Sequence, residues 1–128
     1  MPTRRALIAA TLILASGLPT LAADEKLFTA EGFAAAQAAG DSIVVDISAP
    51  WCPTCKAQRP ILDKLENTDK FSKLRVFRVD FDSQKEVVRA FKAIRQSTLI
   101  VFKGATETGR SVGDTDPASI AALLEKAL

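Results

Sequence analysis

The chain has 128 residues, enough for one domain built on a single core. It carries 17 Lys+Arg against 15 Asp+Glu, a net charge of +2, with two cysteines and no histidine. A balance so near neutral gives no support for nucleic-acid or anionic-membrane binding, and with two cysteines and no histidine a four-ligand zinc site on the cysteines would have to be shared between two chains.

The first stretch reads as a leader. Met1-Pro2-Thr3-Arg4-Arg5 is basic, and Ala6 to Leu18 is apolar but too short for a comfortable bilayer span. A Gly17-Leu18-Pro19 break and small residues at Thr20, Ala22 and Ala23 come next. This is the layout of a secretory signal peptide over 1–23, cleaved near Ala22 or Ala23, with a mature domain over 24–128. The leading charges and the break argue against a buried core helix. An uncleaved membrane anchor stays open, and so does a twin-arginine route through Thr3-Arg4-Arg5-Ala6-Leu7-Ile8. Arg4 and Arg5 leave with the leader, so the mature balance is 15 against 15. Export places the protein in the periplasm or another oxidising space. A lone cysteine pair there implies catalysis and a partner that keeps the pair poised.

Along the mature domain, Asp24 to Lys26 is a short polar start. Thr29 caps a helix through Glu31, Phe33 and the alanine run to Ala39, ended by Gly40. Ser42-Ile43-Val44-Val45-Asp46-Ile47 is a β-branched apolar run, and the segment from Ile43 to Ile47 reads as a buried strand. Lys56 to Glu66 repeats apolar residues at Ala57, Ile61, Leu62 and Leu65, which is helical spacing. Asn67 to Ser72 is polar and reads as a loop, and Leu74 to Asp80 alternates as a strand. Ser83-Gln84-Lys85-Glu86 has the capping-box pattern for a helix to about Ala93. Thr98 to Phe102 is a second buried strand. Gly104 to Gly109 makes a turn, and Arg110-Ser111-Val112 pairs back as a short edge strand. Asp116-Pro117 caps a final helix with Ile120, Leu123, Leu124 and Leu128 on one face. The fold class is α/β, a mixed central sheet with helices on both faces.

Trp51-Cys52-Pro53-Thr54-Cys55-Lys56 holds both cysteines and the only tryptophan. It lies between the Ile43–Ile47 strand and the Lys56–Glu66 helix, with Cys52 at or just before the first helical turn. Free backbone N–H groups and the helix dipole favour an anion there, so the Cys52 thiol ionises more easily than a free one. A redox-active dithiol competes with two other readings. A structural disulfide across so small a ring removes little chain entropy. A zinc ion or iron–sulfur cluster held by these cysteines needs ligands from two chains.

These residues carry a family likeness. From near Leu27 to Leu128 the chain resembles thioredoxin. Val45-Asp46-Ile47-Ser48-Ala49-Pro50-Trp51-Cys52 is similar to the strand entering the thioredoxin active site. Pro60-Ile61-Leu62-Asp63 is similar to its helix proline and the residues after it, and Thr98 to Gly104 to its fourth strand and turn. The Cys-Pro-Thr-Cys tetrapeptide resembles that of periplasmic thioredoxin-like reductants used in cytochrome c maturation. The resemblance implies the thioredoxin fold and an exported thiol:disulfide oxidoreductase that reduces protein disulfides through Cys52 and Cys55. It needs no cofactor beyond that redox-active disulfide. Its partners are protein disulfide substrates and a membrane thiol-reducing donor, and it works as a monomer.

Residue roles come from the likeness and from chemistry together. Cys52, at the exposed helix end, is the nucleophile, and buried Cys55 resolves the mixed disulfide. Asp46 matches the family's buried aspartate; burial raises its pKa and makes it the proton acceptor for Cys55. The alternative is an aspartate turned outward on an edge strand. Arg78 falls where the family has a lysine near that aspartate, and an arginine holds Asp46 ionised; otherwise it is an exposed strand residue. Trp51, Pro53, Thr54, Ser97 and Thr98 are the expected substrate-docking positions, although Trp51 alternatively only packs. Pro60 is a supporting position, and no residue is assigned to a metal. One departure stands out. Ser97 occupies the family's cis-proline position, placing a hydroxyl beside the two thiols, and a cis bond before a non-proline residue costs about 2.5–4 kcal/mol.

Overall fold

Five strands and four helices succeed one another as β1 (Asp24–Leu27), α1 (Ala30–Ala38), β2 (Ser42–Ser48), α2 (Pro53–Glu66), β3 (Arg75–Asp80), α3 (Lys85–Ala90), β4 (Thr98–Lys103), β5 (Thr106–Val112) and α4 (Pro117–Glu125). The structure is a computed structural model and describes Gly17 and residues 22–128. The expected leader lies outside the described residues except for Gly17, Ala22 and Ala23. No described helix is long and apolar enough to cross a membrane.

The strands form one mixed sheet in the order β1-β3-β2-β4-β5. β1 and β2 run parallel to β3, whereas β4 is antiparallel to both β2 and β5. β2 is central and covered on both faces, which is why it reads as a continuous β-branched run. Its alternation splits the core. Ile43, Val45 and Ile47 join Phe28, Phe77, Val79, Ile100 and Phe102 beneath α1 and α3, where Phe33 and Phe91 pack edge-on. Val44 joins Val76, Leu99, Val101 and Leu62 of α2, with Ile120, Leu123 and Leu124 of α4, on the other face. Asp46 shares the parity of Val44 and therefore points at α2. A one-residue slip would drive its carboxylate into the phenylalanine layer, so burial and the aspartate specify the same register.

Helix starts obey the expected chemistry at two places. Thr29 Oγ1 accepts from the Gly32 N–H at 3.1 Å, and Asp116 Oδ2 accepts from the Ser119 N–H at 3.0 Å ahead of Pro117. The third start differs. Ser83 and Glu86 do not form a capping box; Asp80 Oδ1 instead accepts the N–H groups of Asp82 and Ser83 at 3.0 and 2.8 Å, and α3 ends at Ala90. Asp80, at the end of β3, reaches those amides first.

Other boundaries also shift. Asp24–Leu27 is an edge strand whose mostly exposed, charged residues carry no apolar alternation. The loop after α2 contains a 3₁₀ turn, Asp69–Phe71, that buries Phe71. The β4–β5 turn is only Gly104-Ala105, and β5 begins at Thr106. Gly104 has φ +55°, and a Cβ there would sit 3.3 Å from the Gln37 carbonyl oxygen. Helix α2 has the expected period but a different inner face. Cys55, Gln58, Leu62 and Glu66 are buried while Ala57 is exposed. Two polar residues occupy inward positions because each finds partners there.

Candidate active site

Cys52 is the N-cap residue of α2. Its Sγ accepts the Cys55 N–H at 3.1 Å, and Pro53 fills the first helical position, where no N–H is needed. Contrary to the expected exposed helix end, Cys52 is only 1% exposed and Cys55 7%, because capping turns the Cys52 sulfur inward against Ala49 and Cys55. Both are free thiols.

Their acidities diverge. Burial pushes the Cys52 thiol up, but bonds from the Cys55 thiol, the Cys55 N–H, the Gln96 side chain and the Thr54 N–H outweigh it, and Cys52 lies below its ordinary value. Burial first, then its hydrogen bond and the Cys52 charge, pushes Cys55 up to about 11. Cys52 is thus the sulfur that ionises first, and Cys55 the one that keeps its proton longer.

Asp46 is 1% exposed and faces α2. Burial holds its carboxyl above the usual range, partly opposed by Arg59. Arg59, one turn beyond Cys55, sets Nη2 at 2.7 Å from Asp46 Oδ2. The expected partner, Arg78, is second: its Nη1 is 4.0 Å from the same oxygen, and its Nε is bonded to Glu25. Arg59 Nη1 is buried without a hydrogen bond, with Asp63 Oδ1 at 3.6 Å. Glu66 completes the layer. Burial, then the charge of Glu25 and a hydrogen bond with it, pushes Glu66 up to about 8. The carboxyls of Glu25, Asp46, Asp63 and Glu66 and the guanidiniums of Arg59 and Arg78 therefore lie between α2 and the sheet. Glu25, Asp63 and Glu66 form the one cluster of candidate metal ligands among the described residues, and it contains neither cysteine.

Sequence reasoning missed Arg59, Gln58 and Gln96. The signal for Arg59 is its spacing: Cys55, Arg59, Asp63 and Glu66 recur at helical intervals. Gln58 is 1% exposed, and its Nε2 donates to the Asp114 carbonyl at 2.8 Å and the Ser97 carbonyl at 3.4 Å. Only the fold brings those carbonyls together.

The expected docking residues separate into two groups. Trp51 is 56% exposed, and its Nε1 donates to Asp82 Oδ2 at 2.6 Å. Pro53 is exposed and Thr54 half-buried beside it. Ser97 and Thr98 are buried, and the Thr98 hydroxyl donates to the Arg95 carbonyl at 2.7 Å. Ser97 is preceded by a trans bond and has φ +57°, a left-handed conformation that costs a non-glycine residue on the order of 1 kcal/mol or more. Its hydroxyl donates to the Gln96 carbonyl at 2.6 Å, while its N–H bonds the Cys55 sulfur. Pro60 is exposed on α2, where it removes the donor to the Lys56 carbonyl.

A cavity of about 280 Å³ opens beside the pair, lined by Cys55, Lys56, Arg59, Arg78, Asp80 and Ser48 among others. Asp46 does not line it, but both its guanidinium neighbours do. Chemically, the arrangement offers a nucleophilic sulfur, a second thiol that holds its proton, and a polar recess behind the latter.

The thioredoxin family matches residues 25–126. Thioredoxin from Chlamydia trachomatis is 32% identical over 101 residues, covering 79% of this chain and 96% of its own length. Thioredoxin-2 from Saccharomyces cerevisiae is 33% identical over 96 residues, covering 74% of this chain and 89% of its own. The crystal structure of Trxlp from Edwardsiella tarda superposes with a TM-score of 0.77 at 38% identity, covering 79% of this chain and 98% of that one.

Proposed function

The chain belongs to the thioredoxin family of thiol–disulfide oxidoreductases, and on that premise we propose that it is an exported reductant of protein disulfides. The observation that carries the dithiol chemistry is the place of Cys52 as the cap of α2, its Sγ accepting the Cys55 N–H at 3.1 Å, with its acidity below its ordinary value and that of Cys55 pushed up to about 11. The Cys52 thiolate attacks one sulfur of a partner disulfide, forming a Cys52–partner bond and releasing the other partner sulfur as thiolate. A partner reaches Cys52 by displacing the half-buried Gln96 side chain that bonds its sulfur.

Cys55 then has to lose its proton. Asp46 lies behind the recess that Cys55 and Arg59 line; its raised pKa makes it a competent acceptor for that proton, and Arg59, bonded to it, steadies its charge. The Cys55 thiolate attacks the Cys52 sulfur, and the second partner thiol leaves. Two electrons have passed to the partner and a Cys52–Cys55 disulfide remains. A membrane-held dithiol donor returns it to the reduced form. The basic start and apolar run of residues 1–18 support export, and the protein works as a monomer.

The test uses the full-length chain. Cys52→Ser abolishes reduction of insulin disulfides, whereas Cys55→Ser accumulates partners as mixed disulfides in the exported fraction. Trapping through Cys55 in the Cys52→Ser variant would reverse the roles, and mixed disulfides confined to the cytoplasm would refute export.

A further inference from the structure

Edge strand β1 brings one carboxylate into the layer behind the cysteine pair. Glu25 lies across from Val76 of β3, on the sheet face that α2 covers, and it accepts a hydrogen bond from Arg78 Nε. Arg78 in turn stands directly across from Asp46 in the β2–β3 register. Among the described residues, Asp46 is the only other carboxylate within 4.0 Å of its guanidinium. Held by Glu25, Arg78 stops with Nη1 4.0 Å from Asp46 Oδ2, outside hydrogen-bond reach. Arg59 Nη2 meets the same oxygen at 2.7 Å. The two arginines are unequal partners of Asp46, and β1 makes the difference.

The charged groups around Asp46 come from three elements. α2 supplies Arg59, Asp63 and Glu66, β3 supplies Arg78, and β1 supplies Glu25. β4 meets it with Leu99, and α4 brings Ile120, Leu123 and Leu124 to this face. Cys55, Lys56 and Asp80 line the recess together with the two arginines. Within that setting Glu25 acts on Asp46 twice, in one direction. It draws a cation aside, and its own charge disfavours a second anion nearby.

Resting on the reading of Asp46 as acceptor of the Cys55 proton, we propose that Glu25 is a positioning residue for the resolving step. By engaging Arg78 it keeps that guanidinium off Asp46 and leaves the carboxylate a stronger base. Close pairing with both arginines would make Asp46 a poor acceptor for a thiol pushed up to about 11.

The test follows the resolving step in full-length reduced protein mixed with equimolar dithiodipyridine. One coloured thiopyridine leaves when the Cys52 thiolate forms the mixed disulfide. A second leaves when Cys55, its proton passed to Asp46, attacks the Cys52 sulfur and closes the Cys52–Cys55 disulfide. The first phase reports Cys52 in the same trace, so the second isolates proton transfer. Its rate rises with pH through a midpoint that Asp46→Asn abolishes. Glu25→Gln moves this midpoint about one pH unit lower and slows the plateau about 3-fold. In an Arg78→Met background the same change moves it much less, because no guanidinium remains to swing across. A merely structural role of Glu25 would not depend on Arg78 in this way. An unmoved midpoint in Glu25→Gln, or an equal shift with and without Arg78, would overturn the positioning role and leave Asp46 as acceptor. A second phase that keeps its pH profile in Asp46→Asn would overturn the acceptor, and Glu25 with it.

Discussion

Removing the Arg59 guanidinium, as in Arg59→Met, isolates the least expected part of the site. Arg59 Nη2 lies 2.7 Å from a carboxylate that is 1% exposed, and Arg78 is the next cation at 4.0 Å. At an effective dielectric of about 20, those separations correspond to attractions of about 6 and 4 kcal/mol. Arg59 is itself partly solvated, with a side chain 27% exposed, and Arg78 remains after the change. The net coupling between Arg59 and Asp46 is therefore about 2–3 kcal/mol. The sign comes from linkage. Asp46 has a folded pKa raised above 3.8, so the protonated carboxyl favours the fold, and that contribution is lost as pH rises through the folded value. Arg59→Met raises the folded value further. Its deficit is then smaller at pH 4 than at pH 8, since more of Asp46 is protonated at the lower pH and has no charge for Arg59 to meet. Asp46→Asn removes the buried charge and stabilises the protein at pH 8, despite freeing Arg59. Urea denaturation of both single variants and the double variant at each pH completes the cycle. Additive effects at pH 8, with Arg59→Met equally costly whether or not Asp46→Asn is also present, would refute the coupling.

Two further outcomes concern the same layer and its neighbouring loop. Glu66 titrates from 4.5 to about 8 on folding, so its protonated form favours the fold below that range and stability falls as pH rises through it. Glu66→Gln stabilises the protein at pH 9 by about 2 kcal/mol, since Glu66 is partly solvated, and changes little at pH 4; chemical denaturation at both pH values reads this directly, and an equal effect at both would contradict it. Ser97→Pro asks a ring fixed near φ −65° to occupy a φ of +57° and removes the N–H that bonds Cys55. It lowers stability by more than about 1 kcal/mol and, by removing a donor that favours the Cys55 thiolate, slows alkylation of Cys55; unchanged stability would mean that the loop rebuilds around proline.

Much of this was legible because local and global signals agreed. β2 is β-branched, central and buried, so pattern and position coincide. Asp46 within that apolar run, and a cysteine at the helix start, announced themselves by chemistry. β1 did not, since an edge strand with exposed charges has no period to read. The inner face of α2 was misplaced because Gln58 and Glu66 are polar, and their partners on the Ser97 and Asp114 loops and on β1 exist only after folding. The choice of Arg59 over Arg78 was hidden for a related reason. Both arginines neighbour Asp46, but Glu25 from β1 engages Arg78, and β1 was not recognised as a strand. The buried Cys52 reflects side-chain direction at the cap, which spacing alone does not carry.

The central claim is that Cys52 is the ionising, attacking thiol and Cys55 the proton-holding one. Mass-resolved alkylation by iodoacetamide across pH measures both in the reduced protein. The Cys52 rate reaches half its maximum below its ordinary value near 9, and Cys55 reacts appreciably only on approaching about 11. Cys55 modified first, or both cysteines titrating together near 9, would contradict the account.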